Sequence, residues 1–471
     1  MRPIVRSDGC RCSLPRSRCG GGDNKGQIVE MIHSVSQTVT ETALSIIDDI
    51  FGQVEPRDFA IRLWDSVTWG PAPGCEASFT IALRSPGALR RMLLSPTEEN
   101  FARCYIEGVF DLEGDFERTV PLSRRLIGMK LSIRQKLRLI WRLIQLPAES
   151  TRETREAQLL GSAHSIERDK QAVTHHYDVS NEFYRLWLDE RMVYSCAYFA
   201  EGDDDLDRAQ LRKLDMLCRK LRLRPGERLL DIGCGWGGLL RHAVEEYGVE
   251  GVGITLSQPQ ADEANARFAD AGIADRCIAH VVDYRELPES ESFDKIVSVG
   301  MIEHVGSERL DEYLRTVYRL LKPAGAFLLH GIADLPGRPV KTTKGFIRTY
   351  VFPDSDLPSM TKLMTAAEAH DFETRDVESL RENYAQTLRH WARRLAAHRS
   401  AALGEVDERT YRIWRLYLSA VAHWFDRGYI SVFQTLFVKQ SAQGRAGLPL
   451  NRFDWYQETP LAAMPRVERR A

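Results

Sequence analysis

The stretch that decides the fold is Leu229-Leu-Asp-Ile-Gly-Cys-Gly-Trp-Gly-Gly238, an apolar run that leads directly into closely spaced glycines. The apolar run predicts a buried strand, the glycines predict a tight turn, and the residues after Gly238 predict a helix. Glycine lets the backbone approach a ligand closely, and the first turn of a helix presents free N–H groups. The stretch is therefore predicted to be a ligand-binding loop of an α/β domain.

The glycine spacing alone leaves two kinds of ligand open. Gly233, Gly235 and Gly238 satisfy the dinucleotide pattern, so the loop is compatible with NAD as well as with S-adenosylmethionine. A NAD site needs an acidic residue about 20 residues further on, at the end of the next strand. That strand is predicted to end in Thr255-Leu-Ser-Gln258. Asp231, and the pair Asp283-Tyr284 after the third strand, suit an S-adenosylmethionine pocket instead.

From Ser165 onward, apolar strand-like runs alternate with helical patterns, which is typical of a parallel sheet covered by helices. The predicted strands are residues 228–232, 251–255, 277–282, 293–299 and 326–330. The part before it, from Ile32 to Arg118, mixes short strands with helices, including a strand at 79–84 and a helix at 86–94. We therefore predict a doubly wound α/β domain preceded by a smaller α+β domain.

The composition is that of a globular protein, with 43% hydrophobic and 28% charged residues in a chain of 471. The 64 basic and 66 acidic residues nearly cancel, which argues against a nucleic-acid partner. Nine cysteines at irregular positions argue against a disulfide framework and favour a reducing cytoplasm. No apolar run reaches the roughly 18 residues of a membrane span, and no secretory signal is recognised, so we expect a soluble or peripheral protein.

Shifts in composition predict five segments. The first is rich in Arg, Gly, Ser and Cys and is predicted to be disordered, or to precede a translation start at Met31. Its cysteines, Cys10, Cys12 and Cys19, do not have the spacing of a zinc site. The predicted segments are a disordered stretch at 1–30, an amino-terminal α+β domain at 31–121, a basic helix and linker at 122–164, a catalytic domain at 165–440 and a tail at 441–471.

Residues 122–146 carry a run of basic side chains that no acidic residue interrupts. The basic residues interleave with Leu, Ile and Trp141, and they are Arg124, Arg125, Lys130, Arg134, Lys136, Arg138 and Arg142. The pattern predicts a basic amphipathic helix. Such a helix either lies in a membrane interface, attracted by anionic head groups, or packs between domains with a solvated basic face. The sequence leaves both interpretations open.

Several motifs, in order, resemble those of the cyclopropane-fatty-acyl-phospholipid synthases and the related mycolic-acid methyltransferases. Together they cover residues 165–438, more than half of the chain. They are His176-Tyr-Asp178 with Asn181, Phe183 and Tyr184, Tyr194-Ser-Cys-Ala-Tyr-Phe199, Leu230-Asp-Ile-Gly-Cys-Gly-Trp-Gly237, Gly253-Ile-Thr-Leu-Ser257, Ser298-Val-Gly-Met-Ile-Glu-His-Val-Gly306, Leu328-Leu-His330 with Ile332, Tyr350-Val-Phe-Pro353, and Asn383-Tyr-Ala-Gln-Thr-Leu388 with Trp391.

The resemblance implies a fold, a cofactor and a set of site residues. It implies the S-adenosylmethionine methyltransferase form of the doubly wound, Rossmann-like sheet, with helical insertions over the active site, and an amino-terminal domain similar to small lipid-binding modules. It also implies a bound bicarbonate, held by Cys196, Glu303, His330, Tyr384 and the backbone N–H of Ile332. The implied cofactor contacts are Tyr194, Ser195, Asp231, Gly233, Gly235, Gly237, Thr255, Ser257, Gln260, Tyr284 and Arg285.

Two further features bear on the chemistry. Glu303 is followed by His304, but no third ligand has a suitable spacing, so no metal site is predicted. Val421 stands where many members of the family have a cysteine, and the chemistry below does not need that cysteine.

The residue types fit methyl transfer to a carbon-carbon double bond. An alkene and a methyl sulfonium need mainly to be held in line, and the carbocation that results must be kept from water. Aromatic faces favour a cation, and the candidates for the lining are Phe183, Tyr198, Phe346, Tyr350 and Phe352. Ring closure then requires a base, and bicarbonate can accept hydrogen bonds from His330 and Ile332 while it donates one to Glu303.

The expected function is therefore transfer of a methylene unit from S-adenosylmethionine to unsaturated phospholipid acyl chains, forming a cyclopropane ring through a carbocation that bound bicarbonate deprotonates. The alternatives are methyl-branched or methylene acyl chains, N-methylation of a small amine, and a lipid carrier that has lost catalysis. The expected partners are unsaturated phospholipid acyl chains and the inner surface of the membrane, with a homodimer also considered, and the expected location is the cytoplasm.

Overall fold

The computed structural model describes residues 24–52, 54–149, 161–162, 164–177, 179–200, 205–335 and 345–456. Several expectations fall elsewhere. Disorder at residues 1–23, the three amino-terminal cysteines, linker residues 150–160, Asp178 and the end of the tail at 457–471 lie outside the described residues.

The carboxyl-terminal domain is built on a seven-stranded sheet with the order β10-β11-β9-β8-β5-β6-β7. The pairs from β7 to β9 are parallel, whereas β11 runs antiparallel to both of its neighbours. The strands are β5 Arg228–Ile232, β6 Glu250–Thr255, β7 Cys277–Val281, β8 Phe293–Val299, β9 Leu321–Asp334, β10 Phe372–Ser379 and β11 Ile430–Lys439. The predicted doubly wound, Rossmann-like fold is confirmed.

Helices cover both faces of this sheet and also form the insertions above it. The longest, between β10 and β11, is buried along most of its length and carries much of the aromatic core. The helices are α6 Ile166–Tyr177, α7 Asn181–Arg185, α8 Leu206–Leu221, α9 Gly238–Tyr247, α10 Gln258–Asp270, α11 Ile302–Val305, α12 Leu310–Leu320, α13 Phe346–Tyr350, α14 Met360–Ala369, α15 Arg381–Ala397, α16 Arg399–Glu405 and α17 Glu408–Asp426.

Two of the predicted strand boundaries are reproduced without change, those of β5 and β8. The largest difference is β9, which was predicted as residues 326–330 and extends over Leu321–Asp334. The extension follows from pairing: β11 bonds β9 along residues 326–334, including Gly331 and Asp334, whose side chains carry no strand signal. This longer β9 brings His330 and Ile332 to the edge of the sheet at which β8 ends, since Val299 pairs with His330.

The amino-terminal domain contains a four-stranded sheet in the order β2-β1-β3-β4, packed against helices that share one apolar core. Its elements are α1 Asn24–Phe51, β1 Phe59–Arg62, β2 Thr68–Trp69, β3 Phe79–Leu83, α2 Ala88–Leu94, α3 Glu98–Ile106, β4 Phe110–Gly114, α4 Thr119–Ile127 and α5 Ile133–Gln145. Helix α1 begins at Asn24, within the segment 1–30 for which the sequence predicts disorder.

The basic segment forms two helices, α4 and α5, where the sequence predicted one. The break falls at Gly128–Ser132, and Ser132 caps α5 by accepting a hydrogen bond from the Gln135 N–H, while the Gln135 side chain binds the Ser132 N–H in return. Leu143 of α5 is buried in the core of the amino-terminal domain. Both helices therefore belong to that domain and do not form a free linker.

Arginine side chains on α17 and α15 join the two domains. Arg412 is 9% exposed, donates to the carbonyl oxygen of Tyr105 at 3.0 Å, and forms an ion pair with Asp111. Arg389 of α15 binds the Glu117 carboxylate through two nitrogens at 2.7 and 2.6 Å. A paired, buried arginine fixes orientation because breaking either partner leaves a charge without compensation.

Within the described ranges, no helix has the length and apolarity needed to cross a membrane. The cysteines of the same residues, Cys75, Cys104, Cys196, Cys218, Cys234 and Cys277, are all free thiols.

Candidate active site

The glycine-rich loop joins β5 to α9 and adopts a backbone that only glycine accepts readily. Gly233, Gly235 and Gly237 have φ values of 87°, 53° and 77°. A Cβ atom on Gly237 would lie 2.5 Å from the Phe268 ring, which packs under the loop. The third glycine is therefore needed for packing as well as for conformation.

The loop forms one side of a cavity of about 1170 Å³ at the carboxyl ends of β5, β6 and β8, which we call the cofactor cavity. Gly237 and Ser257 are the two predicted cofactor residues that are not part of its lining. Gly237 starts α9, and Ser257 caps α10 by accepting a hydrogen bond from the Gln260 N–H at 3.4 Å. The predicted residues that do line the cavity are Tyr194, Ser195, Asp231, Gly233, Gly235, Thr255, Gln260, Tyr284 and Arg285.

The end of β6 lacks the carboxylate that grips the ribose of NAD. Thr255 occupies that place, and its hydroxyl donates to the Gln260 side chain at 2.9 Å. Further along, Asp283 caps the short 3₁₀ turn that carries Tyr284 and binds the Arg285 guanidinium at 2.7 Å. Asp169 binds the same guanidinium at 2.9 Å, so Arg285 is held in place by two carboxylates.

Lys213 is a functional candidate that the motifs did not reveal. It is 1% exposed, lines the cofactor cavity, and its ammonium group donates to the Ser195 hydroxyl at 2.9 Å. Burial lowers its pKa to about 8. The signal was present, because Lys213 falls on the apolar face of α8 beside Leu214 and Leu217, where a charge is unusual.

Asp231, at the end of β5, is a buried acidic group of this cavity. Burial raises its pKa to about 7, and the nearby positive charge of Lys213 opposes that rise. Its Oδ1 atom has no hydrogen-bond partner within the described part of the chain. An unpaired carboxylate oxygen at the rim of a cavity is free to accept a hydrogen bond from a ligand.

A second cavity of about 830 Å³ adjoins the first and is here called the reaction chamber. Tyr194, Gly300 and His304 line both cavities and so mark their junction. The Tyr194 hydroxyl donates to the Tyr417 hydroxyl at 3.4 Å. The rest of the chamber lining is mostly apolar: Glu303, Ile332, Ile347, Arg348, Phe352, Ser355, Leu357, Tyr384, Tyr417, Val421, Trp424 and Ile430.

Glu303 is the acidic group of the reaction chamber. It lies on α11, is 8% exposed, and accepts a hydrogen bond from the Ile332 N–H at 2.7 Å. Its other oxygen, Oε2, has no partner among the described residues, and burial raises its pKa to about 7. The Ile332 N–H, which was expected to hold an anion, is thus already engaged by Glu303.

Gly331 allows this contact. A Cβ atom at that position would lie 2.3 Å from the Ile302 side chain, so any other residue would push α11 and Glu303 away from β9. Glu303 therefore depends on a glycine that no motif singled out.

His330 lies next to the chamber but is not part of its lining; it is 1% exposed on β9. Its Nδ1 lies 3.2 Å from the Gln434 amide nitrogen, and the Gln434 oxygen accepts from Lys220 at 2.7 Å. Lys220 can only donate, so the Gln434 amide nitrogen must donate to Nδ1, which leaves the proton of a neutral His330 on Nε2. Burial lowers the His330 pKa well below its usual range. His330 is therefore a neutral N–H donor whose Nε2 has no partner in the described structure.

Cys196 does not take the predicted position. Its side chain is fully buried, and its Sγ lies 3.3 Å from the Ala197 oxygen and 3.7 Å from the Leu380 oxygen. Burial raises the pKa of the thiol, so it stays protonated. Leu380 immediately precedes α15, which carries Tyr384. Cys196 therefore packs behind the wall of the chamber, while Glu303, Ile332 and Tyr384 line it.

The aromatic prediction was right for one of the five proposed residues. Phe352 lines the reaction chamber. Phe183 is fully buried among Tyr184, Trp187 and Trp414, and the Tyr198 hydroxyl binds Glu378 at 3.0 Å. Tyr350 and Phe346 are not part of the chamber lining either. Tyr194, Tyr417 and Trp424 supply the aromatic surface instead, because helical insertions decide which rings face inward.

Val421, where the family often has cysteine, lines the chamber. No nucleophilic side chain is present at that point, which agrees with chemistry that needs none. The described residues contain no group of three or more His, Cys, Asp or Glu side chains placed to hold a metal ion.

Comparison with known proteins places this site in a family. The family described as mycolic acid cyclopropane synthetase matches residues 164–435. A protein of Pseudomonas putida named "Probable fatty acid methyltransferase" is 41% identical over 84% of this chain and 96% of its own length. The cyclopropane-fatty-acyl-phospholipid synthase of Escherichia coli is 39% identical over 57% of this chain and 68% of its own length.

A solved structure shows the same architecture with a ligand of the expected kind. The mycolic acid cyclopropane synthase CmaA1, complexed with SAH and CTAB, is 36% identical, covers 57% of this chain and 97% of its own, and superimposes with a TM-score of 0.54. The cyclopropane synthase MmaA2 of Mycobacterium tuberculosis is 34% identical, with the same TM-score of 0.54 and the same coverage, 57% of this chain and 97% of its own. With its glycine loop, the lack of a carboxylate at the end of β6 and its two joined cavities, the chain belongs to the cyclopropane synthase family and is an S-adenosylmethionine-dependent methyltransferase.

Proposed function

We propose that the protein transfers a methylene unit from S-adenosylmethionine to the double bond of unsaturated phospholipid acyl chains and closes a cyclopropane ring. The observation that carries the proposal is the junction of the two cavities. The cofactor cavity meets a mostly apolar chamber at Tyr194, Gly300 and His304, and Glu303 stands inside that chamber. An apolar chamber beside a methyl donor suits a hydrocarbon substrate.

The chamber residues have three tasks in this reaction. Ile332, Ile347 and Leu357 exclude water, which would capture a carbocation on the lipid. The rings of Tyr417 and Trp424 present aromatic faces, which favour a cation. S-adenosylmethionine, when bound, supplies the electrophilic methyl group, and Asp231 and Thr255, which line the cofactor cavity, would bind its polar parts.

The residues also fit a small anion that carries a hydroxyl group, such as bicarbonate, which would supply the base for ring closure. Among the residues that the structure describes, the acceptor Glu303 Oε2 and the donor His330 Nε2 have no hydrogen-bond partner, and both atoms are buried. These atoms match one hydroxyl and one anionic oxygen. The Ile332 N–H would have to be shared between the anion and Glu303, since Glu303 already accepts from it at 2.7 Å.

The assay that tests the proposal uses cofactor with a labelled methyl group and vesicles of unsaturated phospholipid. We expect label in the acyl chains and a product that gains one CH₂ unit and resists mild hydrogenation, as a ring does. Label transferred to a small amine but not to lipid would contradict the proposal. Vesicles of fully saturated phospholipid are the matched control, because they offer no double bond.

A second candidate product is a methyl-branched acyl chain. It is favoured by relatives that match most of the chain: besides the Pseudomonas protein, one of Mycobacterium tuberculosis named "Probable fatty acid methyltransferase Rv3720" is 32% identical over 89% of this chain and 100% of its own length. Branching resolves the same carbocation without closing a ring and needs a reductant. The assay is repeated with a cell extract that contains reduced nicotinamide cofactor and with the same extract after that cofactor has been removed. The mass of the modified chain then distinguishes the two products.

We further propose that α5 binds the surface of an anionic membrane, on its inner face in the cell. Five apolar side chains spaced along one face of α5 are exposed: Ile133 (78%), Leu137 (63%), Ile140 (48%), Trp141 (61%) and Ile144 (52%). A packed interdomain helix would have buried them. Basic residues flank this stripe at Arg134, Lys136 and Arg138. Apolar burial combined with attraction to anionic head groups is how interfacial helices bind.

Replacing Leu137 and Trp141 together with glutamine should weaken binding to vesicles of anionic phospholipid at least about tenfold, by removing two large apolar groups from the interface. Binding by the wild type should also weaken as salt is added. Leu450→Gln is the matched control, because Leu450 is 100% exposed but lies far along the chain in the other domain. Equal binding by the double variant and the wild type would assign α5 no role at the membrane.

A further inference from the structure

The amino-terminal domain contains an apolar cavity of its own, separate from the cofactor cavity and the reaction chamber. It spans about 880 Å³, partly open to solvent, between the sheet and helices α3 and α4, with walls that include Met92, Phe101, Leu112, Leu122 and Leu126. Glu98 is the charged residue of its lining, and Glu98 is exposed at the surface. A cavity with such walls suits a hydrocarbon and offers little to a sugar, a nucleotide or an ion.

The cavity is partly open to solvent, so its apolar walls are in contact with water when no ligand is bound. A hydrocarbon that covers these walls removes that apolar surface from water, which is favourable. The cavity therefore favours an apolar occupant.

Helix α17 forms the wall between this cavity and the reaction chamber. Leu416 and Ala420 face the amino-terminal cavity, and Tyr417 and Val421 face the chamber. Trp424 lines both. Residues three or four apart lie on one face of a helix. Residues 416, 420 and 424 therefore form one row, and 417, 421 and 424 form the adjacent row.

A second element repeats the arrangement. On α13, Phe346 lines the amino-terminal cavity and its neighbour Ile347 lines the reaction chamber. The two cavities thus lie on either side of α17 and α13, and they meet at Trp424, which is partly exposed. A rotation of one aromatic side chain is a small barrier compared with opening a packed core.

We propose that a single acyl chain of the lipid substrate passes Trp424, with its double bond in the reaction chamber and its far end in the amino-terminal cavity. This rests on the proposed function for the identity of the substrate. The amino-terminal cavity then makes binding depend on the length of the chain beyond the double bond. It acts as a specificity element for the reaction in the other domain.

The first test fills the amino-terminal cavity. Ala102 lies on α3 in the cavity wall, and Ala102→Phe places a ring where the far end of the chain would lie. Each methylene group that is excluded from an apolar site costs about fourfold in binding. We expect kcat/KM for lipids whose chains continue well beyond the double bond to fall at least about tenfold relative to lipids whose chains end soon after it.

The matched control is Ala401→Phe, which adds the same ring at an exposed position on α16. The ratio of the two kcat/KM values should be the same in this variant and in the wild type. An unchanged ratio in a folded Ala102→Phe variant would overturn the proposal.

The second test needs no variant and does not depend on turnover. A phospholipid with a photoreactive diazirine at the methyl end of its acyl chain is cross-linked to the full-length wild type, and the labelled peptides are identified by mass spectrometry. We expect labels within residues 98–126, and, with the diazirine next to the double bond, labels in the catalytic domain. Methyl-end labels confined to the catalytic domain would overturn the proposal. Failure of the proposed function would instead appear as cross-linking without methyl transfer.

Discussion

The cofactor cavity and the reaction chamber each bury one carboxyl group whose pKa is raised to about 7, but the two groups are compensated differently. Asp231 in the cofactor cavity faces the positive charge of Lys213. Within the described part of the chain, the Glu303 carboxyl group in the chamber accepts from a backbone N–H, that of Ile332, and faces no compensating charge of this kind. A buried carboxyl group without a cation nearby releases its proton reluctantly and can keep or give it up near neutral pH.

The two cavities also differ in how they are assembled. The cofactor cavity comes largely from turns that follow consecutive strands, so its residues form short motifs. The chamber collects Tyr194, Glu303, Ile332, Tyr384 and Val421 from segments far apart in the chain. Binding of the methyl donor therefore depends on local sequence, whereas binding of the substrate depends on how the inserted helices fold.

The largest effect should come from Glu303→Gln. We expect turnover to fall by about 10²–10⁴, because the anion that supplies the base would lose the carboxylate that orients it, and a positioned base contributes a factor of that size. The affinity for S-adenosylmethionine should stay within a few-fold, because Glu303 does not line the cofactor cavity. Initial rates with labelled cofactor and a binding titration measure the two quantities. Asp231→Asn should show the opposite pattern, with cofactor affinity lost first. Near-normal turnover in Glu303→Gln would remove Glu303 from the mechanism.

The same substitution should change how stability depends on pH. The Glu303 pKa rises from the ordinary 4.5 in the unfolded chain to about 7 in the fold. Between those pH values the unfolded state has released the proton and the folded state has kept it, so the wild type loses about 1.4 kcal/mol per pH unit as pH rises. Glu303→Gln lacks this loss.

Urea unfolding at pH 5, 6 and 7 measures the difference. We expect the stability of Glu303→Gln relative to the wild type to increase at each step, by about fortyfold in the unfolding constant between pH 5 and pH 7, because each end of this range lies close to one of the two pKa values. Glu289→Gln, at an exposed position, is the control and should show no such trend. A difference that is constant with pH would mean that Glu303 ionises as readily in the fold as in the unfolded chain.

A smaller effect is expected from Gln434→Met, which removes the hydrogen bond to His330 Nδ1 but keeps a side chain of similar size. Without the Gln434 amide, the proton of the His330 ring can lie on Nδ1. Nε2 then has no proton to donate. We expect kcat to fall roughly tenfold, the worth of one buried hydrogen bond, with KM for the cofactor unchanged. Imidazole ¹⁵N chemical shifts would report the tautomer directly. Gln440→Met, at an exposed position, is the control.

Sequence reasoning located the cofactor site better than the chamber. Nine of the eleven predicted cofactor residues line one cavity, because each lies in a loop or turn that its own motif positions. For the chamber, Glu303, Ile332 and Tyr384 line it, but Cys196 and His330 do not. The motifs did not predict a role for Lys213, Gly331 or Gln434. Each of these residues acts on the site through a contact with a residue that is distant in sequence.

Three features could be predicted from the residues alone: the doubly wound sheet, the nucleotide loop and the lack of a ribose-binding carboxylate after β6. Strand periodicity, glycine conformation and helix capping are local properties of the chain. Long-range packing was needed to establish that the Ile332 N–H binds Glu303, that the apolar face of α5 stays exposed, and that α17 separates two cavities. These depend on which side of a helix or strand meets a distant neighbour, and packing fixes that choice only when the whole chain has folded.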